Sequence, residues 1–341
     1  MTTYDTVNGL FGRRWSLAIN ANAAQRVGPV ASGSGGTIPL LVAECSSFQD
    51  PESIQVSFDV IKKLNAFWWC DVTLYNLNAA TFNTVFQSGT EVILSAGYQG
   101  KAPYGEIFRG RVFQTMWDRR EVVDFCMTLR CVVGKFESAD NIVIGNLTAE
   151  MTSQKNIVGT MMNASFCANP IGQGSIPSTL AEDTNPRGKV IMQQPQDIVE
   201  EIAESRGEQW FFNHLGFNFG NSRSSVPPNQ AIVISSKTGL IGVPQQIEES
   251  GITFKTLLDP RLDIKIEPMT QVYIDNKLIR QAKRQLGINP SMLDNSGYYN
   301  VSSVRHYGDT RGNDWHTEVI AWSPVYGRAG LEAGLAQEIN Q

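Results

Sequence analysis

Ile54-Gln-Val-Ser-Phe-Asp-Val60 alternates apolar and polar residues without a break. Trp68, Cys70, Val72 and Leu74 then alternate with Asp71, Thr73 and Tyr75, and Val123, Phe125, Met127, Leu129 and Cys131 alternate with Asp124, Thr128 and Arg130. Successive strand residues point to opposite faces, so this pattern predicts strands with one covered face and one exposed face. Several such strands between Arg14 and Val133 predict an antiparallel barrel or sandwich. One short helix is expected among them, with Asn78 as N-cap, Ala79 to Phe86 as its body and Gly89 just past its end. Gly28 to Gly36 (GPVASGSGG) reads as a flexible loop between strands.

The texture changes from about Asp140 to Asn221. Thr152 is placed to cap a helix running through Ala164. Pro195 suits the first position of a second helix through Arg206, which Gly207 ends. In that helix Ile198, Ile202 and the aliphatic part of Arg206 share a face, and Glu200, Glu201 and Glu204 take the others. A short strand pair is expected at Trp210–Phe212 and Phe217–Phe219, and Gly172 to Gly188 reads as loop. Alternation returns from Ala231 to Trp322, in the series Ile252, Phe254, Thr256, Leu258, then Leu262, Ile264, Ile266, then Trp315, Thr317, Val319, Ala321. The two β-rich stretches also parallel each other. Thr90–Leu94 resembles Thr270–Ile274, and the hairpin from Gly110 resembles the hairpin from Tyr299.

A chain of 341 residues predicts two or three domains, and 42% apolar residues supply a core. Charged residues are only 18%, below the ~25% of an average soluble chain, which suits subunits buried against each other. A net charge of −5 without a basic block argues against wrapping nucleic acid, although an acidic lining would let DNA pass without sticking. Five cysteines without a C-x-x-C pair lie mostly in strand-like runs and read as small buried hydrophobes of a reducing compartment. Met1 to Leu10 shows no basic region followed by an apolar stretch, and no run of ~18 apolar residues occurs, so neither a signal peptide nor a membrane span is expected.

Chemistry is sparse. No G-x-S-x-G, H-E-x-x-H or phosphate-loop signature occurs, and Gly172-Gln-Gly174 lacks the strand–turn–helix of a dinucleotide turn. His306 and His316 could face each other across the last hairpin, with Asp309, Asp314 and Glu318 nearby as further metal ligands; polar hairpin residues are the plainer reading. Glu106 and Asp124 are candidates for a carboxylate-based hydrolase. Trp68, Trp69, Trp117 and Trp315 are candidates for stacking on sugar rings in a carbohydrate-binding barrel. Lys277, Arg280, Lys283 and Arg284 lie at mostly helical spacing and read as a solvated face or a dock for an acidic partner, with a membrane-surface or DNA contact as the sharper alternative. Trp68 and Trp69 fall on opposite sheet faces, so an interface is expected to cover one of them.

Several strings, in order, resemble the baseplate central hub proteins of contractile-tailed bacteriophages, the late-control protein D group. They are VTLYNLNAATFNTVF (Val72–Phe86), GTEVILSAGYQG (Gly89–Gly100), GEIFRGRV (Gly105–Val112), SKTGLIGVPQQ (Ser236–Gln246), ITFKTLLDPRL (Ile252–Leu262) and YYNVSSVRHYGDTRGNDWHTEV (Tyr298–Val319). The stretch around Gly188 to Phe219 resembles that family's α/β insert. The resemblance implies a mainly β fold with an α+β insert: two antiparallel, tail-tube-like β-barrel domains plus a small α/β domain. The boundaries expected are 1–138, 139–228 and 229–325, with a tail over 326–341. It implies a non-enzymatic homotrimer without cofactor or bound metal, assembled in the bacterial host cytoplasm and resident in the virion's tail baseplate. Its implied partners are a hexameric tail tube protein, a trimeric spike, a tape-measure protein and neighbouring baseplate proteins, with DNA only in transit. The hub of a tail-like bacteriocin or injection apparatus is the near variant. The candidate interface residues are Trp68, Trp69, Tyr98, Tyr104, Trp117, Lys277, Arg280 and Arg284.

Overall fold

Strand-forming alternation dominates the computed structural model, which describes residues 12–20, 39–45, 54–78, 90–99, 103–119, 124–133, 143–149, 152–165, 180, 187–214, 216–220, 230–247, 251–265, 269–275, 279–281 and 297–324. The first β-rich stretch contains β1 (Arg13–Asn20), β2 (Pro39–Cys45), β3 (Val56–Lys63), β4 (Trp69–Tyr75), β5 (Glu91–Tyr98), β6 (Tyr104–Arg119) and β7 (Phe125–Val132). Next come β8 (Val143–Leu147), α1 (Gln154–Ser165), β9 (Lys189–Gln193), α2 (Pro195–Arg206), β10 (Gln209–Asn213) and β11 (Gly216–Gly220). The last stretch contains β12 (Ile232–Ile234), β13 (Leu240–Ile247), β14 (Gly251–Leu257), β15 (Gln271–Ile274), β16 (Arg280–Gln281), β17 (Tyr298–Asp309) and β18 (Trp315–Trp322). The helix expected over 79–86 and the loop at 28–36 lie outside the described residues.

The two β-rich stretches share one sheet of fourteen strands, in the order β16-β13-β14-β18-β17-β3-β4-β7-β6-β5-β1-β2, with β15 also on β17 and β12 on the far side of β15. The joint between them is β17 on β3, where Ser303 to Asp309 run antiparallel to Lys63 to Ser57. The sheet curls, and β1 and β5 come back to the β17–β18 turn. There Arg13 donates to the carbonyls of Asp309 (2.8 Å), Gly312 (2.6 Å) and Asn313 (3.1 Å). Trp315 Nε1 donates to Gly97 O at 3.3 Å. The covered face carries Leu17, Ile19, Val56, Val60, Val72, Leu94 and Leu129, all fully buried. Each such side chain contributes about 1.5–3 kcal/mol on burial, so the covered face of the sheet is the main source of cohesion.

Pairing makes five strands of one stretch equivalent to five of the other, with matching register at their shared positions. Thr90 O accepts from Val112 N–H at 2.8 Å, and Thr270 O accepts from Val301 N–H at 2.9 Å. Glu91 then lies opposite Arg111, as Gln271 lies opposite Asn300. Arg111 and Val112 face Val132 and Cys131, a bulge intervenes at Phe113, and Gln114 faces Arg130. Asn300 and Val301 face Trp322 and Ala321, a bulge intervenes at Ser302, and Ser303 faces Ile320. Outward again, β4 on β7 matches β14 on β18, because Trp69 faces Val132 and Gly251 faces Trp322. On the far side β3 matches β13, Ile61 facing Trp69 as Ile247 faces Gly251. The set β5-β6-β7-β4-β3 therefore repeats as β15-β17-β18-β14-β13, with the bulge in the same place. Such a coincidence is unlike chance similarity between hairpins, since bulges are position-specific features.

The middle stretch pairs β8 with β9 and β10 with β11. Ser153 rather than Thr152 caps α1, its Oγ accepting from Asn156 N–H at 3.3 Å, while Thr152 Oγ1 donates to Ala149 O. α2 begins at Pro195 and ends at Gly207, whose φ of 68° is the left-handed turn that lacks a steric cost only for glycine. Ile198 and Ile202 are buried, as the spacing predicts. One expected strand is absent. Leu262 and Ile264 are buried, but residues 259–265 form a turn and an irregular segment. Asp259 O accepts from Leu262 N–H, Asp259 clamps Arg261, and Asp263 binds Lys62, so this backbone is committed away from any ladder. Arg280 and Gln281 likewise form a short strand on β13 instead of the helical spacing read from the sequence.

Candidate functional site

The joint between the sheet and the β10–β11 hairpin is aromatic. Trp68 stacks on Phe211 (centroids 4.8 Å apart, planes at 8°) and Phe67 on Phe212 (5.0 Å, 11°). Asn65, at a left-handed φ of 56°, donates its N–H to Trp210 O and accepts from Trp210 N–H through Oδ1, which fixes the hairpin on the β3–β4 turn. Trp68 Nε1 donates to Lys63 O at 3.1 Å. Trp68 is thus spent on a contact within the chain and is buried, which removes it from the surface where the sequence reading put an interface. Tyr98 is buried as well, near Arg13, the Leu258 backbone and the Asp259 carboxylate, and burial pushes its hydroxyl pKa well up.

A recess of about 140 Å³ opens beside Trp68, lined by Lys62, Glu106, Arg109, His214 and Asp263 among others. Four of its charged side chains form two ion pairs, and Lys265 stands exposed at its edge. Lys62 Nζ, itself buried, meets Asp263 Oδ1 at 2.7 Å and lies 4.9 Å from the Trp68 ring centroid. Arg109 meets Glu106 at 2.7 Å, and His214 Nδ1 stands 3.8 Å from the other Glu106 oxygen. Burial lowers the His214 pKa more than Glu106 raises it. Asp124, the other carboxylate proposed for hydrolysis, does not line this recess; it sits just before β7 and accepts from Asn76 Nδ2 at 3.0 Å. The two candidate carboxylates therefore do not share this recess.

The two histidines of the last hairpin do not converge. His306 is opposite Thr317, and His316 is opposite Tyr307. A one-residue offset in a strand puts them on different faces. His306 is fully buried with Nδ1 2.8 Å from Thr317 Oγ1, whereas His316 is part-exposed and 3.6 Å from Asp314. No group of three metal-ligating side chains occurs among the described residues.

The remaining candidates separate. Trp69 is half-buried under the Arg130 guanidinium (5.6 Å), and Arg130 itself holds Asp71 through two hydrogen bonds. Tyr104 lies under the Arg14 guanidinium at 4.2 Å and donates to Ser16 Oγ at 3.1 Å. Trp117 is 69% exposed. Lys277, Lys283 and Arg284 lie outside the described residues. Trp117 belongs to a larger feature that sequence reading missed. β6 extends past β5, so from Phe113 to Arg119 it has β7 on one side and no strand on the other among the described residues. This overhang carries Phe113 (51% exposed), Met116 and Trp117, with Phe125 (57%) at the start of β7. Alternation placed Phe125 with the core residues Met127 and Leu129; the run continues past the end of the cover. A second exposed apolar group, Ile144, Val190 and Met192, lies on the β8–β9 pair, where Ile144 faces Met192. Unpaired edges and contiguous apolar surface of this kind mark places where chains meet.

No protein-family profile and no curated protein matches this sequence. Solved structures do match it in shape. The 43 kDa tail protein of prophage MuSo2 from Shewanella oneidensis superposes with a TM-score of 0.54 at 8% identity, covering 92% of this chain and 98% of that one. A chain of the Francisella PdpA–VgrG complex superposes with a TM-score of 0.50 at 9% identity over 92% of this chain, which spans 53% of that longer one. The fold is that of phage tail proteins: mainly β, built on a curled antiparallel sheet. No helix among the described residues is long and apolar enough to cross a membrane.

Proposed function

We propose that this chain is a structural baseplate hub, a homotrimer that joins a six-fold tail tube to a three-fold spike, starts tube assembly and leaves an axial channel for DNA. The carrying observation is the equivalence of the two five-strand sets, in which the pairing order repeats and the register and bulge of β6 on β7 recur in β17 on β18. Three copies of a chain with two equivalent sets present six similar units around an axis, which is what a three-fold object needs to mate with a six-fold one. The units 1–138, 139–228 and 229–325, with a tail over 326–341, are proposed as the domains of that hub. Its role is mechanical. Lytic activity is assigned to a partner, in keeping with this mechanical role. The hub of a tail-derived injection apparatus is carried beside the phage reading, because one superposing structure comes from a VgrG complex.

The test is the mass of the purified protein by light scattering, alone and with its neighbouring tube and spike proteins, followed by end-on imaging. A trimer with six peripheral densities is the expected result. A monomer indifferent to both partners would refute the reading.

A further inference from the structure

The equivalence of the two sets makes their outer edges comparable position by position. In the second set, the β17 edge beyond its bulge is covered by β3: Arg305 faces Ile61, His306 faces Val60 and Tyr307 faces Asp59. In the first set, the same edge is the overhang of β6, where Met116, Trp117 and Asp118 occupy the places of Arg305, His306 and Tyr307. The difference in burial is large. His306 is fully buried, whereas Trp117 in its place is 69% exposed. Trp315, across from Gly308, is 2% exposed, whereas Phe125, across from Arg119 in the same place, is 57% exposed.

The cover strand β3 has its own counterpart in β13, with Ile247, Gln246 and Gln245 in the places of Ile61, Val60 and Asp59. Within one chain the outer edge of β13 is held at Gln245 and Gln246 by β16, a two-residue parallel strand. Resting on the hub reading above, we infer that the β6 overhang of one copy pairs antiparallel with β13 of a second copy, Met116 opposite Ile247, Trp117 opposite Gln246 and Asp118 opposite Gln245, and that β16 is a removable cover over that edge. The occupant is a second copy because the chain already contains the same junction, filled by its own β3 on β17. Toward Ile241 the register stops there, since β13 bulges between Ile241 and Gln245. Val243, 51% exposed, lies in that bulge, where the other set has Phe58 packed edge-on against Trp315. One strand edge accepts one partner at a time, so β16 and the incoming β6 compete for Gln245 and Gln246.

Engineered cysteines test the register in the full chain. Directly opposite residues have Cα atoms about 4.5–5.5 Å apart, within the range a disulfide spans, whereas a partner two residues away lies about 7–8 Å off. The Met116→Cys/Ile247→Cys variant is expected to form interchain disulfides on oxidation, and Met116→Cys/Gln245→Cys and the parent chain are not. A ring seen by light scattering and imaging without the first cross-link would overturn the register and leave the hub reading standing. Absence of any ring, with tube and spike proteins present, would overturn both. The cover is tested with Arg280→Pro/Gln281→Pro. A cover closed nine-tenths of the time weakens association about tenfold, so the variant should assemble at correspondingly lower concentration. Hydrogen exchange at residues 279–281 gives a second reading: protection should fall when wild-type chains assemble. An unchanged assembly midpoint, or protection retained in the ring, would overturn the cover.

Discussion

Lowering the pH from 7.5 to 5 should cost this protein about 2 kcal/mol through one side chain, His306. The residue is fully buried, Nδ1 is taken by Thr317 Oγ1, and Nε2 makes no hydrogen bond of ordinary geometry. Burial holds its pKa down at about 3 against the usual 6.5; the Lys62 charge pushes the same way, and Asp263 and the Leu262 backbone oppose. A depressed histidine binds fewer protons folded than unfolded between those two values, so stability is full above the unfolded pKa and falls as the pH drops below it. The loss by pH 5 is set by the unfolded value, because the folded imidazole is still neutral there. His214 and His316, both lowered chiefly by burial, add smaller losses of the same sign. Urea unfolding at constant ionic strength, for wild type and His306→Asn, isolates the contribution. The variant should be less stable at neutral pH and lose about 2 kcal/mol less on acidification. An equal pH slope in both proteins would refute a buried neutral imidazole.

Trp117→Ser should change the stability of the isolated chain by no more than about 0.5 kcal/mol, as exposed positions do, whereas Trp315→Ser at the equivalent end of the other set should cost about 3–5 kcal/mol; thermal and urea unfolding compare them. A Cβ on Gly308 would lie 2.7 Å from both Phe58 Cζ and Trp315 Cε3. Gly308→Ala is therefore expected to cost about 1–3 kcal/mol by overpacking, read by the same unfolding assay. Lys62→Met should cost about 1–3 kcal/mol, because Asp263 loses its partner while remaining only 28% exposed, and Lys62→Met/Asp263→Asn should recover part of that loss.

Strands with one covered face were legible because burial of alternate residues writes itself into the sequence, as in Val56, Phe58 and Val60. α2 was legible for local reasons, a proline at its start and a glycine past its end. Features that depend on distant partners were not. Trp68 and Trp69 look alike in sequence, and only the docking of Phe211 decides that Trp68 is the buried one. Leu262 and Ile264 alternate and are buried, yet the ion pair of Asp263 with Lys62 holds that segment out of a ladder. The histidine pair failed by a single residue of register, which no local pattern encodes. The overhang of β6 was invisible for a similar reason: its alternation continues smoothly past the point where β5 stops covering it.

The two sets also show what a covered edge does to the residues on it. Where β3 closes over β17, the strand carries His306 and Gly308, and the glycine leaves room for Phe58 to reach Trp315. On the overhang the same places hold Trp117 and Arg119, a large apolar ring and a long cation, and among the described residues no strand lies alongside at Trp117. A solvated edge in a chain that stays alone is ordinarily blunted by charge or proline. Here Asp118 and Arg119 supply charge at the end of the edge, yet Phe113, Trp117 and Phe125 each leave more than half of their surface in water. Burying an aromatic of that size is worth about 1.5–3 kcal/mol, so each chain holds an unrealised contribution that only another strand can collect. The edge is therefore better explained as half of a junction than as a surface, and the strand inferred to complete it is β13 of a second copy.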